Sequence, residues 1–229
     1  MDKKYNFDDL LKIVEKLRMP GGCPWDIEQT HDSIKHNIIE EGYELIEALE
    51  SENPEKMADE SGDLLLQVIF HAQIAKEAGE YNIDDCIQKI CEKLIHRHPH
   101  VFGGENIKTS EEVLEKWNAI KRVDRGQDTV AKELLGVSTA LPSLMRAEKV
   151  QKKAEKTGYI FQRPSAIADS VSGMLKFLEN SDDTEIAEKY IGKMLFELVS
   201  AAKALNVEPE LALSKHINLF IKEIEKHEQ

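Results

Sequence analysis

Apolar residues recur at helical spacing along almost the whole chain, and this periodicity constrains the fold more than any other feature of the sequence. No run of alternating apolar and polar residues is convincing enough to indicate a strand. The chain contains only 12 Gly and 7 Pro, and these fall mainly between the periodic segments. The sequence therefore predicts an all-α protein.

Helix start signals predict where several of these helices begin. Asn53 followed by Pro54 is typical of an N-cap with proline at the first helical position. Asn82 is a second predicted N-cap, and Thr109 with Glu112 three residues later forms a predicted capping box. These signals open helices that run to about residues 79, 97 and 122. Further helices are predicted near 7–18, from after residue 30 to about 51, from 142 onward, and near 164–179, 184–205 and 209–226.

The charge balance and the apolar runs limit the classes of partner. Asp and Glu number 43 against 30 Lys and Arg, a net charge of −13, which disfavours nucleic acid as a partner. The longest nearly unbroken apolar run, residues 64–70, is far shorter than the roughly 20 residues of a membrane span. The N-terminus has no hydrophobic signal region, and the three cysteines contain no C-x-x-C pair. We therefore expect a cytoplasmic protein that binds no membrane.

Two segments of the chain resemble one another. The segment that begins at Gly62 and the segment that begins at Gly192 each contain a glycine, a branched apolar run, a turn and another amphipathic helix. A long helix precedes both. We interpret this similarity as a duplicated helical module, and we expect one module over residues 1–125, a linker over 126–141 and a second module over 142–229.

Acidic residues are concentrated in two successive helices of the first module. Glu40, Glu41 and Glu44 lie in one helix, and Glu60 and Asp63 lie in the next. At 100° per residue, Glu41 and Glu44 share a face, about 60° apart. The same holds for Glu60 and Asp63. If the helices pack antiparallel, the two pairs face one another and repel strongly unless a cation neutralises them. Oxygen-only ligands of this kind suit Mg²⁺. Spacing alone leaves open that these are solvated acids on an acidic surface.

The acidic motif and the segments around it resemble the MazG family of all-α nucleoside triphosphate pyrophosphohydrolases. The motif is E-E-x-x-E from Glu40 to Glu44, followed after 15 residues by E-x-x-D from Glu60 to Asp63. Residues 21–34, 92–102, 113–122 and 143–159 also resemble family segments, so the similarity spans nearly the whole chain. It implies Mg²⁺-dependent hydrolysis of NTPs or dNTPs to monophosphate and pyrophosphate, with Mn²⁺ as an alternative ion. It also implies a homodimer that completes the helical bundle.

The resemblance also implies a role for individual residues. Glu41, Glu44, Glu60 and Asp63 would hold the metal, and Glu40 would be a further ligand or a base that orients water.

Other residues would contact the substrate. Lys93 and Arg97 would present cations to the phosphates and belong, with Glu40 and Glu41, to the implied catalytic set. Lys121 would add another cation, and Trp117 would pack on the base or ribose. Trp25 and Gln29 are candidates for base contacts, although Trp25 is equally readable as a core anchor of its loop.

The second module departs from the family pattern. Where the first module has Glu60 and Asp63, the second has Tyr190 and Lys193. An ammonium group cannot ligate a cation. We therefore predict that residues 142–229 are a degenerate structural repeat and that catalysis belongs to the N-terminal module. The alternative is that the second half binds an effector or another protein.

Three other functions are weaker interpretations of the same residues. A di-iron bundle requires two Glu-x-x-His pairs, and the chain contains only Glu28 with His31. His96, His98 and His100 invite a zinc site, but their position at a helix end favours a structural closure. A MazG-like regulator that binds nucleotides or a partner without turnover remains the main alternative.

Overall fold

The computed structural model describes residues 4–179 and 181–227, and within these residues the regular structure is entirely helical. This confirms the predicted all-α class. The helices are α1 (Phe7–Arg18), α2 (Pro24–Glu28), α3 (His31–Ile34), α4 (Asn37–Glu50), α5 (Pro54–Glu77), α6 (Ile83–Arg97), α7 (Pro99–Phe102), α8 (Ser110–Asp124), α9 (Val130–Leu135), α10 (Ser143–Glu155), α11 (Pro164–Leu178), α12 (Thr184–Ala204) and α13 (Pro209–His227).

The predicted start signals act as helix caps. The Asn53 side chain accepts hydrogen bonds from two backbone N–H groups of the first turn of α5, and Asn82 does the same at α6. Thr109 and Glu112 form a reciprocal capping box at the start of α8. Each cap satisfies N–H groups that have no partner within the helix, which is why these helices begin where the sequence indicated.

The helix predicted from after Thr30 to Ser51 is broken into α3 and α4. Ile34, the last residue of α3, is 4% exposed and belongs to the core, and the break follows at Lys35 and His36. His and Asn have lower helix propensity than most residues, so interrupting the helix at His36 and Asn37 costs little free energy. Three short helices, α2, α7 and α9, also lie in segments for which the sequence predicts loops or a linker.

The chain divides into two compact units, one ending at Lys108 and the other beginning at Thr109. The first unit contains α1–α7 and the second contains α8–α13. α8 lies in the second unit, whereas the sequence predicts a module boundary at residue 125; that boundary stays a prediction. The roles predicted for the two modules do not follow from this division and stay predictions.

The core of the first unit forms where α1, α3 and α5 meet. It consists of Val14, Ile34, Ile69 and Phe70, with partly buried apolar neighbours around them. α4 and α5 pack along one another and are connected by residues 51–53, where Glu52 adopts a positive φ of 53°. This short connection brings the acidic segments of the two helices together.

Arg18 links the first part of this unit to α5. It is 9% exposed and forms an ion pair with Glu77, with 2.7 Å between Nη2 and Oε2. Its guanidinium also donates to the backbone carbonyls of Asp26 and Gln29 and lies 5.1 Å from the centroid of the Phe70 ring. One side chain therefore fixes the segment around α2 against the long helix that carries Asp63.

The second unit is built around α10, α11 and α12. Ile167, Met174, Met194 and Val199 are buried in it. Gln151 is also buried, and its Nε2 donates a 2.7 Å hydrogen bond to the backbone carbonyl of Phe196, which ties α10 to α12. In the part of the chain that is described, none of the helices combines the length and the apolar character needed to cross a bilayer.

Candidate metal centre

Three of the predicted metal ligands converge between α4 and α5. One carboxylate oxygen each from Glu41, Glu60 and Asp63 lies within 4.8 Å of the other two. Among residues 4–179 and 181–227, this is the one group of three or more His, Cys, Asp or Glu side chains with such convergence. All three side chains remain partly accessible to solvent, so an ion and a substrate can reach them.

Two carboxyl groups of the cluster, those of Glu41 and Glu60, have a raised pKa. Burial is the largest cause of the raised pKa of Glu41, followed by the charges of Asp63 and Glu44. Burial also raises the pKa of Glu60, followed by the charges of Glu44 and Asp63. Partial desolvation and like charge both disfavour the ionised form. A bound divalent cation would offset both effects, so the donor set fits a hard metal ion.

Gln67 supports the cluster from one turn beyond Asp63. Its side chain is buried, at 7% exposure, and its Nε2 donates a 3.2 Å hydrogen bond to Oε1 of Glu41. This bond favours the charged form of Glu41 and opposes the rise in its pKa. The motif spacing does not single out Gln67, although its position four residues after Asp63 places it on the same face of α5.

The remaining acids lie at the edge of the cluster. Glu44 is exposed, and its charge raises the pKa of both Glu41 and Glu60. Glu40 is exposed and contributes a smaller part of the rise at Glu41. Two acids that the sequence did not single out, Glu47 and Asp59, add to the rise at Glu60. The negative field is therefore wider than the predicted four ligands.

The two predicted cations of α6 differ in their surroundings. Lys93 is exposed, whereas Arg97, one turn later, is 6% exposed and is the last residue of the helix. A buried guanidinium must be held by polar partners, so Arg97 also has a structural role at this helix end. A role for either residue in phosphate binding stays a prediction.

Trp117 and Lys121 lie on α8, in the second unit. They are four residues apart on one face of the helix, and the Lys121 Nζ lies 5.9 Å from the centroid of the Trp117 ring. This is the range of a cation–π contact. Their predicted contacts with substrate remain predictions.

Trp25 and Gln29 belong to the segment that Arg18 holds. Trp25 is 60% exposed, which does not fit the core-anchor interpretation. Gln29 donates from Nε2 to the Trp25 carbonyl and accepts at Oε1 from the Ser33 hydroxyl, at 2.8 Å in both bonds. Its amide therefore organises the loop, and a contact of either residue with a base stays a prediction.

The histidines at the end of α6 do not assemble a metal site in the described structure. His96, His98 and His100 belong to no converging group of three ligand atoms. The His98 ring nitrogen Nδ1 lies 2.6 Å from the Leu94 carbonyl, and its ring packs at a tilt on His100. These contacts fit the closure of α6 ahead of α7.

Comparison with known proteins connects this geometry to a family. A family model described as the MazG nucleotide pyrophosphohydrolase domain matches residues 29–102, which contain all the acids of the cluster. The nucleoside triphosphate pyrophosphohydrolase/pyrophosphatase MazG of Thermotoga maritima is 40% identical over 223 residues, which are 97% of this chain and 86% of that protein. The nucleoside triphosphate pyrophosphohydrolase of Escherichia coli K12 is 37% identical over 214 residues, 91% of this chain and 81% of that protein.

A solved structure also matches part of the chain. The crystal structure of a mazG-related protein from Thermotoga maritima aligns with a TM-score of 0.44 at 28% identity, covering 50% of this chain and 98% of that one.

Proposed function

The chain belongs to the MazG family of nucleoside triphosphate pyrophosphohydrolases, and on this basis we propose that it hydrolyses NTPs or dNTPs to the monophosphate and pyrophosphate with Mg²⁺. One observation carries the proposal: oxygens of Glu41, Glu60 and Asp63 lie within 4.8 Å of one another. Without a cation, three carboxylates this close repel, and burial, followed by the charges of the neighbouring acids, raises the pKa of Glu41 and of Glu60.

Glu41, Glu60 and Asp63 are the residues that would hold the metal, with Glu44 as the fourth ligand. The donors are all carboxylate oxygens, which are the ligands that Mg²⁺ and Mn²⁺ prefer. Zn²⁺ also binds nitrogen and sulfur ligands. A divalent ion held by these residues would neutralise charge on phosphate oxygens and would lower the pKa of an attacking water. The hydrogen bond from Gln67 orients Glu41 for this task, as groups around a metal centre commonly do.

The chain's own residues supply the other parts of the reaction. Glu40, exposed beside Glu41, is placed by our proposal as the base that orients the attacking water. Lys93 provides a cation for the phosphates, assisted by Arg97. On α8, Trp117 and Lys121 offer a ring for the base or ribose and a further ammonium group. Trp25 and Gln29 are the proposed base contacts in the α2 segment.

We assign catalysis to the N-terminal module. In the second unit, α12 carries Tyr190 and Lys193 at the positions of Glu60 and Asp63. Lys193 is 3.7 Å from Glu197, and this charge pair offers no set of converging acids. The second module therefore preserves the helical pattern without the ligands.

We also propose that the protein acts in the cytoplasm as a homodimer. The proposal rests on the family resemblance and on the apolar side chains that α6 leaves exposed. Ile87, Ile90 and Leu94 lie three and four residues apart on one face of that helix and are 41–45% exposed. A second copy of the chain would cover such a face, since contiguous exposed apolar surface commonly marks an interface.

A turnover assay on the full chain tests the reaction. All common NTPs and dNTPs are incubated with Mg²⁺, with Mn²⁺, or with EDTA, and nucleoside monophosphate, pyrophosphate and orthophosphate are quantified separately. We expect pyrophosphate and monophosphate in equal amounts, with loss of both on chelation. Release of orthophosphate would contradict the proposed bond cleavage. Absence of turnover with every nucleotide, combined with nucleotide binding, would favour a regulator without enzymatic activity.

A further inference from the structure

A basic cavity of about 420 Å³ lies within the second unit, and the proposed reaction does not use it as a whole. It is bounded by the C-terminal part of α8, the connection to α9, and α10. Seven Lys or Arg side chains line it, together with a single carboxylate, Glu133. This concentration of positive charge stands out in a chain whose net charge is −13.

Ion pairs neutralise only some of these cations. Lys152 is paired with Glu148 at 2.6 Å, and Lys153 is paired with Glu133 at 3.1 Å.

Four lining cations have no ion pair with any carboxylate of the described residues. They are Arg122, Arg125, Lys149 and Lys156.

Helix dipoles explain why some of these cations lie at the ends of α8 and α10, but they do not explain why so many cations surround one cavity. α8 and α10 both end beside the cavity, and a cation in the last turn of each helix is stabilised by the carbonyl end of the helix. That effect reaches about 0.3–1 kcal/mol per cation at exposed sites and does not require several cations around one space. Gathered cations repel, so the arrangement is most stable when an anion occupies the cavity.

Neutral donors complete the lining. The side chain of Gln127 lies against Gly136, so closely that a Cβ at position 136 would overlap the amide nitrogen. Glycine at this position therefore leaves room for the Gln127 amide at the cavity wall. The Ser138 hydroxyl lines the same space. Guanidinium, ammonium, amide and hydroxyl groups together form a donor set suited to phosphate oxygens.

We propose that this cavity binds a polyphosphate group, meaning two or more linked phosphates, without a divalent metal. The cavity has four cations that lack an ion pair within the described residues. This number of positive charges matches the three to four negative charges of a polyphosphate group better than it matches the charge of a single phosphate. The net charge of −13 also disfavours an extended nucleic acid as the occupant. The group can come from free pyrophosphate or from a nucleotide, and both present the same chemistry to these residues.

Calorimetric titration of the full chain in EDTA tests the proposal, because chelation removes the metal on which the proposed reaction depends. Inorganic pyrophosphate, orthophosphate and a nucleoside triphosphate are titrated separately. We expect pyrophosphate and the nucleotide to bind, and orthophosphate to bind at least about tenfold more weakly. Equal affinity for pyrophosphate and nucleotide would identify the phosphates as sufficient, whereas tighter nucleotide binding would show that the nucleoside contributes as well.

The double variant Lys149→Gln/Lys156→Gln removes two of the cations that have no ion pair and should weaken pyrophosphate binding at least about tenfold. The matched control is Lys189→Gln/Lys222→Gln, which makes the same change of charge on α12 and α13 away from the cavity, and should bind as the wild type does. Arg125→Gln provides a second variant if the first has an altered thermal melting curve. Unchanged pyrophosphate affinity in the cavity variants, or no binding in EDTA, would overturn the proposal.

A further variant separates this proposal from the proposed reaction. Asp63→Asn should abolish turnover and leave pyrophosphate binding in EDTA intact. Loss of pyrophosphate binding in Asp63→Asn, with retention in the Lys149→Gln/Lys156→Gln variant, would instead assign the polyphosphate to the acidic site and refute the basic one. Lys121 also lines the cavity. It is left out of these variants because the proposed reaction already gives it a role.

Discussion

Nε2 of Gln67 donates a 3.2 Å hydrogen bond to Oε1 of Glu41, and this bond joins a buried amide on α5 to an acid on α4. The bond favours the ionised form of Glu41 in a setting where burial and neighbouring carboxylates raise its pKa. Gln67 thus acts on the proposed metal through Glu41, without being a ligand itself.

Substitution Gln67→Leu should weaken the binding of Mg²⁺ at the proposed site. Without the amide, Glu41 holds its proton to higher pH and is free to rotate, so we expect the Mg²⁺ concentration for half-maximal rate to rise by about 10-fold. The readout is a Mg²⁺ titration of the rate at fixed nucleotide, repeated across pH. Gln73→Leu is the matched control, because Gln73 makes the same kind of bond to Glu77, at 2.9 Å, on the same helix. A wild-type Mg²⁺ titration in Gln67→Leu would contradict the positioning role.

Neutralising an acid of the cluster should have opposite effects on activity and on stability. Glu60→Gln and Asp63→Asn each remove a ligand, and we expect turnover to fall more than about 100-fold. Each also removes one charge from a group of three carboxylates within 4.8 Å of one another, so the melting temperature measured in EDTA should stay the same or rise. The control is Lys193→Asn, at the position in α12 that corresponds to Asp63, which should leave turnover unchanged. Retained turnover in Asp63→Asn would refute the metal assignment.

The sequence predicted the acids of the site because, in a helix, the spacing of residues along the chain determines which side chains share a face. Glu60 and Asp63 had to share a face of α5 once that stretch was helical, and the caps at Asn53 and Asn82 marked where the helices begin. The resemblance to a family then selected the chemistry among several that acidic helices allow. Local spacing was enough for the pairs within each helix, whereas the convergence of Glu41 with Glu60 and Asp63 also depends on the packing of α4 on α5.

The supporting residues were not predictable by the same reasoning. Arg18 and Glu77 are 59 residues apart in the chain, and nothing in the local pattern of either one indicates the other. The break between α3 and α4 follows from the packing of Ile34 into a core whose other members come from α1 and α5. Relationships of this kind depend on tertiary packing, which overrides weak local propensities.

The Arg18–Glu77 pair should make stability depend on pH. The hydrogen bond from Arg18 lowers the pKa of the Glu77 carboxyl below that of an unfolded glutamate. Its stabilising contribution is therefore complete above the unfolded pKa and is lost as pH falls through the lowered folded pKa. Glu77→Gln should cost about 1 kcal/mol at neutral pH, a modest value because the Glu77 side chain is 38% exposed and screened by solvent.

Chemical denaturation at pH 7 and at pH 3 measures this effect. The difference between wild type and Glu77→Gln should be smaller at the lower pH, because that pH lies below the pKa of an unfolded glutamate and closer to the lowered folded pKa of Glu77. Glu15→Gln is the control, since the Glu15–Lys76 pair is similarly short, at 2.8 Å, with both side chains largely exposed. Its effect should be close to zero at both values of pH. A difference for Glu77→Gln that did not vary with pH would show that packing, and not charge, accounts for the loss.

The exposed apolar face of α6 should control the oligomeric state. Ile90 lies between Ile87 and Leu94 on that face and is 45% exposed. If a second copy of the chain covers it, Ile90→Glu places a charge in a desolvated interface and should shift the protein from dimer to monomer. Light scattering coupled to size-exclusion chromatography measures the mass, which should fall by half. Lys89→Glu introduces the same side chain at the neighbouring exposed position and should leave the dimer intact. A wild-type protein that is monomeric at micromolar concentration would refute the proposed dimer, and an Ile90→Glu variant that stays dimeric would place the interface elsewhere.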